Sequence, residues 1–107
     1  MPDVTSEKLQ KLSTMLEREP EDTFLLYAIG MEYRKLAAFE KAIEFFNRVI
    51  SVNAGYCYAY YQRGQVYQDL GKTDLARTTY EEGIAAARRV GDAHALSELE
   101  TALTELG

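Results

Sequence analysis

The sequence predicts an all-α fold, a solenoid of stacked helical hairpins. Three observations predict it. Apolar residues recur at spacings of three and four along most of the chain, the period of an amphipathic helix. Proline, glycine and asparagine punctuate that pattern and leave connections of only two to four residues, which force neighbouring helices to lie antiparallel. The chain also matches itself at an offset of 34 residues. Strand signals are poor, because no period-two stretch is bounded by a hairpin turn pair.

Each of six helices has a start and a stop. The first spans residues 4–19, with Leu9, Leu12, Met15 and Leu16 on one face, and Pro20 ends it. Asp22 caps the second, whose buried face is Leu25, Leu26, Ile29, Tyr33 and Leu36. A break at Ala37-Ala38 precedes the third, with Ala42, Ile43, Phe46, Val49 and Ile50 inward, and Asn53-Ala54-Gly55 closes it. Residues 56–70 make the fourth, stopped by Gly71. Thr73 or Asp74 caps the fifth, which runs to Val90 and stops at Gly91. Asp92 caps the sixth, residues 92–106, striped by Leu96, Leu99, Leu103 and Leu106.

With 107 residues, 47% hydrophobic, the chain makes one domain that needs no metal or disulfide staple. Its single cysteine, Cys57, excludes an internal disulfide and points to a reducing, cytoplasmic setting. No signal peptide or membrane-length apolar run is legible. A formal charge of −5 disfavours nucleic acid and anionic membranes as partners.

At the 34-residue offset six positions are identical: Tyr27/Tyr61, Gly30/Gly64, Tyr33/Tyr67, Leu36/Leu70, Ala42/Ala76 and Ile50/Ile84. Glycine inside a helix costs about 1 kcal/mol against alanine, so something must offset it. The reading is a close approach of the partner helix, with Ala42 and Ala76 as its matching small residues. Phe46 and Tyr80, four residues on, fill the space between neighbouring pairs. A hairpin built this way cannot bury both faces alone and must stack on a copy of itself.

This pattern resembles the tetratricopeptide repeat family. The resemblance implies repeats at residues 23–56 and 57–90, a first helix standing for the second half of a preceding repeat, and a capping helix at 92–106. Leu12 and Leu16 then match Phe46 and Ile50, and Pro20 matches a closing proline. Ala37 departs from the pattern where the second repeat has Gly71, and Ala54 and Arg88 stand where the closing proline is usual. Without that proline the fifth helix runs a turn longer. Gly83 replaces Val49 and leaves room for something to pack.

Little here carries chemistry. One histidine, His94, and one cysteine exclude a His/Cys metal cluster, no phosphate loop exists, and no third group orients a Cys57–His94 pair. The expectation is no enzyme, no cofactor and no metal. The resemblance instead implies a concave, peptide-binding groove on the first helix of each repeat. Phe24, Tyr27, Met31, Arg34 and Lys35 supply it from the first repeat, and Tyr58, Tyr61, Gln62, Gln65, Gln68 and Asp69 from the second. Aromatic and methionine side chains suit an apolar segment of a protein or peptide partner, with Arg34, Lys35, Gln62 and Gln65 setting register. The family's grip on chaperone C-terminal carboxylates needs cations, but the matching positions here are Tyr27, Met31, Gln62, Asp92 and Leu96. The expected role is that of an adaptor or scaffold. A second reading makes the chain a structural homo-oligomer, its groove or end face filled by its own or a neighbour's last helix.

Overall fold

The computed structural model describes residues 6–107. These form six helices: α1 (Glu7–Arg18), α2 (Thr23–Lys35), α3 (Phe39–Val52), α4 (Cys57–Asp69), α5 (Thr73–Val90) and α6 (Ala93–Leu106). Each packs on its neighbour in sequence, and α2, α4 and α6 also touch in turn. The even-numbered helices therefore make one layer and the odd-numbered helices the other, in a body of 37 × 30 × 18 Å.

Local chemistry sets the ends. Asp22 accepts from Leu25 N at 3.1 Å and Asp92 from Ala95 N at 2.9 Å, both as side-chain N-caps. Ser6 caps α1, accepting from Leu9 N at 3.0 Å, so the helix starts later than the predicted residue 4, which lies outside the described residues. Neither Thr73 nor Asp74 caps α5. Lys72 holds the cap position without a side-chain bond, because Gly71 at φ +74° and the Lys72 N to Tyr67 O bond of 2.8 Å turn the chain early. The first repeat makes the same turn with Ala37 at φ +60° and Ala38 N bonded to Tyr33 O at 2.9 Å. A Cβ in that left-handed region is strained by about 1 kcal/mol.

The helical glycines act differently from the sequence expectation. A Cβ on Gly30 would lie 2.7 Å from the Phe46 ring, and one on Gly64 would overlap the Tyr80 ring. Each glycine thus seats an aromatic ring of its own hairpin partner, whose atoms come nearer than any of Ala42 or Ala76. Phe46 still bridges to the next pair, where it shares a cluster with Val66 of α4. Gly83 provides the predicted room: Tyr60 Cβ and Leu99 Cδ2 would stand 2.7 and 2.9 Å from its Cβ. Leu99 fills that notch, so α6 docks on Ala95, Leu99 and Ala102, while Leu96, Leu103 and Leu106 are only half-buried. The α5 helix, at 18 residues against 14 for α3, runs the extra turn.

On α1 only Leu9 is fully buried, and Met15 is 52% exposed. A single helix, α2, covers α1, so the predicted four-residue stripe is half used. Ser6 Oγ also donates to Glu32 at 3.0 Å, which gives that buried carboxylate of α2 a partner.

Candidate functional site

The layer of even-numbered helices carries the candidate groove. On α2, residues 24, 31 and 35 share a helix face by their spacing of seven and four. Phe24 lies 70% exposed at its start, Met31 is half-buried, and Lys35 is exposed. Met31, Arg34, Lys35, Phe39 and Asp69 line a hollow at the far end of this face. A separate hollow between the α1–α2 turn and the end of α3 is walled by Glu19, Glu21, Asp22 and Arg48 and shares none of these residues.

Tyr27 sits deeper than its neighbours. Its ring centroid is 5.7 Å from Phe46 and 5.2 Å from Tyr56, and burial pushes its phenol above the usual tyrosine range. Tyr61 packs on Tyr80 at 6.4 Å and on Tyr58 at 6.4 Å, the latter edge to face. Both tyrosines keep part of their surface in water.

The polar members are mostly engaged within the chain. Arg34 donates to Gln62 Oε1 at 2.8 Å and to Asp69 Oδ2 at 3.3 Å, tying α2 to α4. Gln65 Nε2 donates to Tyr80 Oη at 2.7 Å, and Tyr80 Oη donates in turn to Gln68. Gln65 and Gln68 therefore satisfy a buried phenol, whose pKa burial drives up to about 12. Among the described residues, Lys35 is the groove cation with no ion-pair partner.

Helix α6 adds residues that the groove reading left out. His94 Nδ1 and Tyr58 Oη share a hydrogen bond, with ring centroids 6.2 Å apart. Burial first, then the charges of Asp92 and Glu98, pushes the Tyr58 phenol up. Glu98 lies 4.0 Å from His94 Nε2, and Asp92 caps the start of the same helix. His94, Glu98, Thr101 and Glu105 recur at spacings of four, three and four, and all are exposed. That spacing was legible, but the leucine stripe on the opposite side of α6 masked it. Arg63, which no spacing in the sequence marks, donates to Asn47 Oδ1 at 2.8 Å and pairs with Glu82, joining α3, α4 and α5.

Cys57 sits in an unreactive setting. Cys57 is buried and donates to Gly55 O at 3.3 Å, and burial followed by the Asp92 charge pushes its thiol up. A nucleophilic thiolate needs the opposite shift. Among the described residues no helix is long and apolar enough to cross a membrane.

The tetratricopeptide repeat pattern matches residues 25–56 and 58–89. A TPR repeat-containing protein of Pseudomonas aeruginosa is 26% identical over 98 residues, covering 92% of this chain and 93% of its own length. The solution structure of a tetratricopeptide repeat domain protein from Salinibacter ruber superposes with a TM-score of 0.76 at 36% identity, covering 81% of this chain and 88% of that one. The TPR2B domain of yeast Sti1 shares the fold at a TM-score of 0.85 and 18% identity, over 92% of this chain and 78% of that one. Two matched repeats over more than half of the sequence, in the hairpin stack described above, decide the assignment: the chain belongs to the tetratricopeptide repeat family.

Proposed function

We propose that this chain is a non-catalytic protein-interaction module, and that the face of α2 and α4 takes an apolar peptide segment of a partner. The repeats are 23–56 and 57–90, with residues 92–106 as the cap. The carrying observation is Phe24, 70% exposed on a face that also holds the half-buried Tyr27, Met31, Tyr58 and Tyr61. Apolar side chains left in water contribute nothing to the fold, whereas covering one is worth about 1.5–3 kcal/mol. The yeast Sti1 domain in complex with pHsp70 supports a protein-interaction role for the fold and says nothing of this chain's ligand. A partner held by its C-terminal carboxylate does not suit this face, because none of the matching positions Tyr27, Met31, Gln62, Asp92 and Leu96 supplies a cation and Asp92 would repel a carboxylate.

Phe24→Ser/Met31→Ser tests this reading. Phe24 stands in water and Met31 packs only its inner part on the Phe46 cluster, so the variant keeps its helical circular dichroism and loses no more than about 1–2 kcal/mol. It loses, by at least tenfold in titration, the purified partner that wild type retains. A folded variant that keeps the partner moves binding off this face.

A second reading is a homo-oligomer, favoured by Met15 at 52% exposed on α1, a helix covered by α2 alone. Light scattering at high micromolar concentration separates the two. A concentration-independent dimer favours the oligomer, and a monomer favours the adaptor.

A further inference from the structure

The charges on this face are unevenly placed. Phe24, Met31 and Lys35 on α2 give an apolar and basic side. In the middle, Arg34 is spent on Gln62 and Asp69. Helix α6 contains no lysine or arginine and presents Glu98 and Glu105 on its exposed stripe. Glu98 has His94 Nε2 at 4.0 Å as its nearest basic group, whereas Glu100, on another side of α6, is answered by Arg88 at 3.4 Å. Asp92 brings a further carboxylate to the Tyr58 end, one oxygen of which holds Ala95 N.

We infer that the occupant of this face is a peptide segment with an apolar anchor for Phe24 and Met31 and a lysine or arginine for Tyr58 and Glu98. The inference rests on the groove reading above and adds the chemistry of the partner. A cation there gains twice: it meets a carboxylate that no internal lysine or arginine answers, and the partly exposed ring of Tyr58 offers a π face. A carboxylate there meets like charge from Glu98 and Asp92. The distance also sets a length. From α2 to α6 is two helix spacings, about 16–20 Å, which an extended chain covers in about six residues.

An immobilised library of random peptides of about eight residues, presented to the full chain at low salt, tests the inference. Wild type should retain peptides enriched in Lys and Arg over Asp and Glu, and high salt should flatten the preference. Glu98→Gln should weaken the retained basic peptides about three- to tenfold, and Glu98→Lys should reverse the preference. Retained peptides with no charge preference, or one that Glu98→Gln leaves unchanged, overturn the inference. The groove reading then survives if Phe24→Ser/Met31→Ser releases the same peptides. If wild type retains nothing beyond what that variant retains, both readings fall together.

Discussion

The two hairpins, α2–α3 and α4–α5, share one plan but differ by an oxygen atom. Phe46 lies on Gly30 and Tyr80 lies on Gly64, both fully buried. The Tyr80 hydroxyl must be satisfied inside the protein, and Gln65 and Gln68 do it. The matching residues of the first repeat are Met31 and Arg34. Phe46 asks nothing of them, so Met31 stays apolar and Arg34 reaches across to α4. Residues that look like groove chemistry in the second repeat are therefore partly set by what lies beneath them. The first repeat has surface to spare for a partner.

Filling the seats under the rings should break the comparison hardest. Gly30→Leu and Gly64→Leu should each cost more than about 2 kcal/mol, because the side chain collides with Phe46 or Tyr80. Urea melts read this directly. A variant within about 0.5 kcal/mol of wild type would mean that the ring is free to move away and that the shared plan is not the glycine seat.

Alkaline pH sharpens the comparison next, since only the second ring can ionise. Folding raises the Tyr80 pKa from 10.0 to about 12, so the native state holds the proton longer than the unfolded chain does. Its contribution is complete below pH 10 and is lost as pH rises from 10 towards 12. Across that window wild type should lose about 2 kcal/mol more than Tyr80→Phe. At neutral pH the same substitution should cost only about 1 kcal/mol, the net worth of the hydrogen bonds removed. Parallel stability–pH curves for the two proteins would show that the phenol is not the alkaline weak point.

The smallest effect lies at the turns. Ala37→Gly gives the first turn the residue of the second and should stabilise by about 0.5–1 kcal/mol, offset in part by the looser unfolded chain. Thermal melting checks it. A loss of stability would show that Ala37 is not strained at φ +60°.

Helix existence and order were legible because apolar spacing and breakers act locally, as Asp22, Asp92 and Gly91 illustrate. The cap of α5 falls on Lys72 because a 6→1 bond from Lys72 N to Tyr67 O overrides the side-chain preference of Thr73 or Asp74. Spacing also put Tyr27 and Phe24 on one face, yet could not say that Tyr27 lies among Phe46 and Tyr56 while Phe24 stands in water.

By itself, the sequence determined the helices, the 34-residue repeat and the set of side chains from which a groove can be drawn. Those follow from periodicity, which is a property of a few consecutive residues. Only the tertiary structure decided that Gly30 and Gly64 seat aromatic rings, that Gly83 receives Leu99, and that Gln65 and Gln68 serve Tyr80. It alone brought His94 of α6 to Tyr58 of α4, with Glu98 4.0 Å beyond the imidazole. The physical reason is that packing and hydrogen-bond satisfaction join residues far apart in the chain, and the partner that answers a buried ring or hydroxyl carries no local mark of that duty.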